Sequence, residues 1–263
     1  MERIFVAHKP VPSSLTVVNK PGGAGGIAYN YVNQHAGDAH YLLIGTPGLL
    51  TNHILGRIKM SHADFTPIAS LVNDYVVFAV NANSPVKTGK DLVERLKKDP
   101  QSVVLGLVGF GNHNHIAVSL VLRTAGGNVR DIKTVTFKGS SEAVIALLGG
   151  HVDLVATAAG NAAVHIATGK LRVVGVAAPR RFGGVLADVP TWKEQGMDVV
   201  MGGWRALVGP KGLTARRSRT GRTYCARQPL PRNGKRIWRK TTGPTISSPA
   251  RSSAKTWKRI TPP

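Results

Sequence analysis

The chain has 263 residues, long enough for one or two domains with a full core. Lys and Arg outnumber Asp and Glu by 35 to 13, a formal net charge of +22. The excess is uneven: Thr214–Pro263 holds ten Arg and four Lys and no acidic residue, leaving 21 basic against 13 acidic residues before it. The single cysteine, Cys225, excludes a disulfide framework and a cysteine-based metal site, and no run approaches the roughly 20 apolar residues of a membrane-spanning helix. The opening MERIFVAHKPVPSSLTVV is too short and too polar for the apolar region of a signal peptide, so the chain as written is expected in the cytosol.

In chain order, short runs rich in Val, Ile and Leu and bounded by Gly, Asn or Pro predict strands. They are LTVVNK (15–20), HYLLIG (40–45), DYVVFAV (74–80), SVVLGLV (102–108), DIKTVTF (131–137), HVDLVAT (151–157) and LRVVGVA (171–177). Helical patterns lie between them. GKDLVERLKKD places Leu92, Val93 and Leu96 on one face and ends in lysines suited to a helix C-terminus. HIAVSLVLRTAGG ends in Gly126 and Gly127, an expected C-cap. SSEAVIALLGG predicts Ser140 or Ser141 as N-cap and a stop at Gly149. Such alternation predicts an α/β fold with parallel layers.

In parallel α/β sheets, ligands sit beyond the carboxyl ends of the strands, where loops enter helices. Three such loops are rich in glycine or hydroxyls: GTPGLL (45–50), GFGNHNH (109–115) and FKGSS (137–141). Each sets backbone N–H groups near a helix start, where unpaired donors and the helix dipole favour an anion. Together they suggest a cleft for a small anionic molecule; the alternative is that the glycines serve the turns alone.

Sharper motifs are absent. His113 and His115 stand at i and i+2, a spacing that does not share a helix face, with no acidic or cysteine ligand nearby in sequence. Gly106, Gly109 and Gly111 form GxxGxG rather than the dinucleotide fingerprint GxGxxG. There is no Walker lysine and no GxSxG elbow, and Asp153 reads as a strand-end residue holding a loop. No catalytic residue, metal or cofactor is indicated.

The segments VVNKPGGAGGIAYNYV, YLLIGTPGLL, DFTPIASLVNDYVVFAVNANSPVKTGKDLVERLKKDP, FKGSSEAVIALLGGHVDLVATAAGNAAVHIATGKLRVVGVAAPRR and LADVPTWKEQGMDVVMGGWRALVGPKGLT occur in this order between about residues 15 and 213. This series resembles the TctC/Bug family, the periplasmic solute-binding proteins of tripartite tricarboxylate transporters. The resemblance implies a monomer with the periplasmic binding protein type II fold: two α/β lobes joined by a hinge, which capture a carboxylate between them and deliver it to membrane transporter subunits. The first lobe would be residues 1–75, the second 76–198, with a return to the first over 199–213. By the same resemblance, Thr46 and Gly48 would face the ligand from the first lobe. Gly111, Asn112 and His115, with Gly139 and Ser140, would face it from the second. Neutral hydroxyl, amide and backbone donors suit a carboxylate without a buried countercharge.

Two departures from the family pattern shape the expectations for this chain. An export signal, a first strand and a PF-x-x-GG loop normally come first; here MERIFVAHKPVPSS stands in their place, which leaves the first lobe incomplete. After GPKGLT the family continues with helices, whereas this chain turns basic at Thr214. The segment from Pro231 to Pro262 admits codons that, read two bases later, give an acidic, helix-forming sequence like the family's C-terminal one. A frame slip near codon 214 and a disordered basic tail over 214–263 are therefore expected, with ligand binding weak or lost. The rival reading makes the tail a nucleic-acid-binding arm acting through phosphate contacts, with Tyr224, Trp238 and Trp257 as stacking residues.

Overall fold

The computed structural model describes residues 16–219. In chain order the helices are α1 (Gly26–Asn33), α2 (Gly48–Ile54), α3 (Gly89–Lys98), α4 (His113–Thr124), α5 (Ser140–Leu148) and α6 (Ala159–Ala167). The strands are β1 (Leu43–Gly45), β2 (Phe65–Asn81), β3 (Leu105–Leu107), β4 (Thr134–Thr136), β5 (Leu154–Ala158), β6 (Leu171–Val176) and β7 (Gly202–Pro210). The described residues divide into two compact units: one runs to Asn73 and resumes at Trp204, and the other is Asp74–Gly203. The chain thus crosses from one unit to the other twice, within β2 and within β7. Among the described residues no helix is long and apolar enough to cross a membrane.

In the first unit, β1 pairs antiparallel with β7, Leu43 opposite Val208 and Gly45 opposite Ala206. Tyr29 and Val32 of α1, Leu49 of α2, Phe65, Ala206 and Val208 form its core. The predicted strand at 15–20 is not formed over residues 16–20. Val17 and Val18 remain 48% and 57% exposed; β-branched residues favour a strand only where a neighbouring strand pairs with them, and none does so among the described residues. The reading that order ends at Thr214 is also corrected over its first residues. Residues 215–219 are helical, Thr214 caps them by accepting from Arg217 N–H, and the Arg217 guanidinium donates to Gly37 O at 2.6 Å. The expectations placed on residues 220–263, including Cys225, the stacking aromatics and the shifted frame, lie outside the described residues, as do those on residues 1–15.

The second unit holds a five-stranded sheet in the order β6-β2-β5-β3-β4. Strands β5, β3 and β4 run parallel, with Gly106 opposite Val155 and Leu107 opposite Thr136. The expectation of parallel layers holds for these three only, because β2 lies antiparallel to both β5 and β6; periodicity in a sequence carries no strand direction. Side chains alternate across the sheet, so Val76, Phe78, Leu154 and Ala156 pack on one face with α3 and α4. Ala79 and Val155 pack on the other face with α5 and α6.

Helix α3 shows why its sequence folds locally. Thr88 Oγ1 accepts from Asp91 N–H at 3.1 Å and Asp91 Oδ2 accepts from Thr88 N–H at 2.9 Å, a complete capping box. The carboxyl also accepts from Lys87 N–H at 2.9 Å, and that bond, with those to Thr88, holds Asp91 below its ordinary range; Leu92, Val93 and Leu96 are buried, and Arg95, Lys97 and Lys98 close the last turn. Asp153 accepts from Val104 N–H at 2.8 Å, holding a strand-end loop as its sequence position suggested.

Trp192 is fully buried, its ring edge-on to Phe78 at 4.7 Å. It also lies over Gly175, where a Cβ would stand 2.7 Å from the indole. Trp192→Ala is expected to cost about 3–5 kcal/mol through the cavity it leaves, measured as a loss in urea unfolding; Gly175→Ala should destabilise as well, by steric overlap.

Candidate functional site

The parallel strands β3, β4 and β5 end at one edge of the second unit's sheet, and each leads into a helix there. After β3 the chain makes a loop with Gly109 at φ 82° and Gly111 at φ 73°. Both angles lie in the left-handed region that glycine adopts without steric cost. Asn112 then caps α4, its Oδ1 accepting from His115 N–H at 2.9 Å while its Nδ2 donates to Val108 O. The His115 ring returns over the loop, and its Nδ1 accepts the Gly111 N–H at 3.0 Å. The Phe110 ring stands edge-on to the imidazole, centroids 5.4 Å apart. Burial holds the His115 pKa below the ordinary imidazole value.

The loop after β4 starts beside this one, because Phe137 N–H donates to Leu107 O at 2.8 Å. Gly139 is the N-cap of α5, with extended backbone and no side chain to cap the helix. The expectation of a serine N-cap is therefore shifted by one residue, and Ser140 opens the helix. The extended backbone of a cap suits glycine, and serine at the first helical position leaves the first-turn N–H groups without a side-chain cap. Glu142 reaches back to accept from Lys138 N–H at 3.0 Å.

The junction after β5 was missed by the reading of the sequence. Ala158 precedes α6 and likewise gives no side-chain cap, while Asn161 Nδ2 donates to the buried hydroxyl of Thr157 at 3.1 Å. The only signal available was negative: TAAGN lacks a capping residue where a strand passes into a helix. Two of the three helix starts at this edge, α5 and α6, thus carry no side-chain cap, and the third is capped by a neutral amide. Such starts present backbone N–H groups and the positive end of the helix dipole to an anion.

Gly111, Asn112 and His115 are in mutual contact, and Gly139 with Ser140 lies at the neighbouring strand end. Thr46 and Gly48 belong to the first unit. There the Thr46 hydroxyl accepts from Gly48 N–H at 3.2 Å. It also hydrogen-bonds the Tyr29 phenol, whose pKa burial raises above its ordinary value and this bond lowers in part. His113 does not join His115: its ring packs against Gly203, where a Cβ would lie 2.4 Å from the imidazole. Among the described residues no cluster of three or more His, Cys, Asp or Glu is placed to hold a metal ion.

Residues 7–217 match the model of the tripartite tricarboxylate transporter family receptor, TctC. The chain belongs to that family. A protein encoded in the tcbD–tcbE intergenic region of Pseudomonas sp. (strain P51) is 27% identical over 208 residues, covering 77% of this chain and 60% of the relative. The chain spans about 60% of the length of the curated relatives it matches. The crystal structure of a TctC solute-binding protein from Polaromonas, without ligand, superposes with a TM-score of 0.78 at 27% identity, covering 98% of this chain and 88% of the other. MatC from Rhodopseudomonas palustris, solved with bound malate, gives a TM-score of 0.80 at 22% identity and covers 98% and 89%, a likeness of fold. The fold is thus the α/β fold of the TctC solute-binding proteins.

Asn112→Ala removes both the α4 cap and the bond to Val108. It is expected to destabilise the chain by about 1–2 kcal/mol in urea unfolding, and Asn112→Asp, which keeps an acceptor for His115 N–H but sets a carboxylate oxygen against Val108 O, should restore only part of that loss.

Proposed function

We propose that this chain is the solute-binding receptor of a tripartite tricarboxylate-type transporter. In this reading it captures a small carboxylate for delivery to membrane transporter subunits, with the periplasm as its compartment, and it binds without catalysing a reaction. The observation that carries the reading is the edge of the second unit where β3, β4 and β5 end. Helices α5 and α6 start there without side-chain caps, and α4 is capped by the neutral amide of Asn112. A carboxylate accepts several N–H bonds at once and completes the helix starts that lack a cap. We assign Gly111, Asn112, His115, Gly139 and Ser140 to this face, add Asn161, and place Thr46 and Gly48 among the ligand-facing residues of the first unit. Family membership supports the receptor role, and the malate held by MatC shows a dicarboxylate on the same fold.

Gly139→Asp provides the test. A Cβ at Gly139 meets nothing within 4 Å and its φ of −155° is open to any residue. The new carboxylate can cap α5 from within the chain and stand where the ligand's would. The variant is expected to gain roughly 0.3–1 kcal/mol of stability while losing the thermal shift that millimolar malate or adipate gives the parent chain. A parent chain that responds equally to these dianions and to their neutral dimethyl esters, or a variant that keeps the full shift, contradicts the reading.

A further inference from the structure

The two ring nitrogens of His115 are set to different tasks by the backbone around them. Nδ1 lies 3.0 Å from Gly111 N, a group that can only donate. Nδ1 therefore holds a lone pair, and the neutral ring carries its proton on Nε2. The bond matters because it closes a loop built on two left-handed glycines. Gly109 and Gly111 have no side chain with which to pack, and the Gly111–His115 bond joins the two bonds of the Asn112 amide in fastening this turn.

Protonation of the ring would put an N–H on Nδ1, facing the N–H of Gly111. Two donors would meet, and the bond would be lost. Burial alone depresses the His115 pKa, with no carboxylate or cation contributing among the described residues. The ring that faces it is Phe110, and His113, the other titratable group on this turn, is turned to Gly203.

An imidazolium close to a bound anion would ordinarily strengthen binding. Resting on the carboxylate-binding reading above, we propose the opposite for this site: His115 is a positioning residue whose neutral, Nε2-protonated ring fixes the Gly109–Asn112 loop, so that protonating it releases the loop and weakens anion capture. The family resemblance placed His115 on the ligand face, and the bond of its Nδ1 to Gly111 N–H ties that residue to the loop as well.

The test begins without ligand, on the full chain, by nitrogen-resolved NMR of the histidine side chains and amide hydrogen exchange across pH. At neutral pH the His115 Nδ1 is expected to be unprotonated and the Gly111 amide protected. Both should change together as His115 titrates below the ordinary imidazole range. His115→Asn sets an amide oxygen near the place of Nδ1 and should keep the protection. His115→Gln reaches instead toward the place of Nε2, and Gly111 should exchange about tenfold faster in it. A proton on Nδ1 in the neutral ring overturns the proposal, as does a freely exchanging Gly111 in the parent chain or protection that persists through the titration; these three results need no variant to fold.

Malate then serves as the probe of capture. Its affinity for the parent chain should fall on acidification more steeply than for His115→Asn, which keeps the titration of malate itself but not that of the ring. A parent affinity that rises relative to the variant overturns the proposal. Absence of malate binding at every pH counts against the receptor reading, and leaves the tautomer and exchange results to decide the role of His115.

Discussion

The four leading N–H groups of an α-helix have no partner within the helix, and something outside must accept them. In the second unit three helices begin at the same sheet edge, because β3, β4 and β5 run parallel and each hands the chain to a helix where it ends. Most proteins meet this demand with Ser, Thr, Asp or Asn at the cap, and this chain does so where no ligand is expected: Thr88 and Asp91 close α3 completely. At the parallel edge Asn112 caps α4, but Gly139 and Ala158 leave α5 and α6 without a side-chain cap. The missing side-chain caps there are a feature of the sequence as much as of the fold, and the proposed carboxylate site rests on them.

Neutral backbone donors have consequences of their own. A buried Lys or Arg would pull any anion with strength but little geometry, and it would carry its own desolvation cost when the site is empty. Backbone N–H groups are set in direction by the helix and need no counterion. The loop before α4 is likewise held by neutral groups: an asparagine amide that bonds in both directions and an imidazole whose pKa burial lowers. Most of the excess basic charge, 14 of the net +22, lies after Thr214, away from this chemistry in sequence.

The helices were the more legible part of the sequence, because their signals are local. The spacing of Leu92, Val93 and Leu96 and the glycines at 126 and 149 predicted buried faces and stops that the structure contains. Strands depend on partners elsewhere in the chain, as β2 does on β5 and β6. LTVV reads as well as DYVVFAV, yet Val17 and Val18 stay exposed while Val76 to Val80 are buried between β5 and β6. The early part of β2 was hidden by Pro67 and polar residues, which weaken a strand pattern although an edge position tolerates them. The glycine and hydroxyl loops at 109–115 and 137–141 were legible because turns have their own chemistry. The start of α6 was not, since an absent cap leaves no residue to recognise, and the direction of Nδ1 in His115 belongs to three-dimensional geometry alone.

The central claim is that the starts of α4, α5 and α6 together form the anion-binding face of the second unit. The most direct measurement is the amide chemical-shift response of the full chain to malate, residue by residue, carried to millimolar concentration. The largest and saturable shifts should fall on Asn112, Ser140, Ser141, Gly160 and their immediate neighbours, those of the second unit's sheet remaining nearly still. Saturable shifts centred elsewhere in that unit, or no response at these amides while the chain remains folded, would contradict the account.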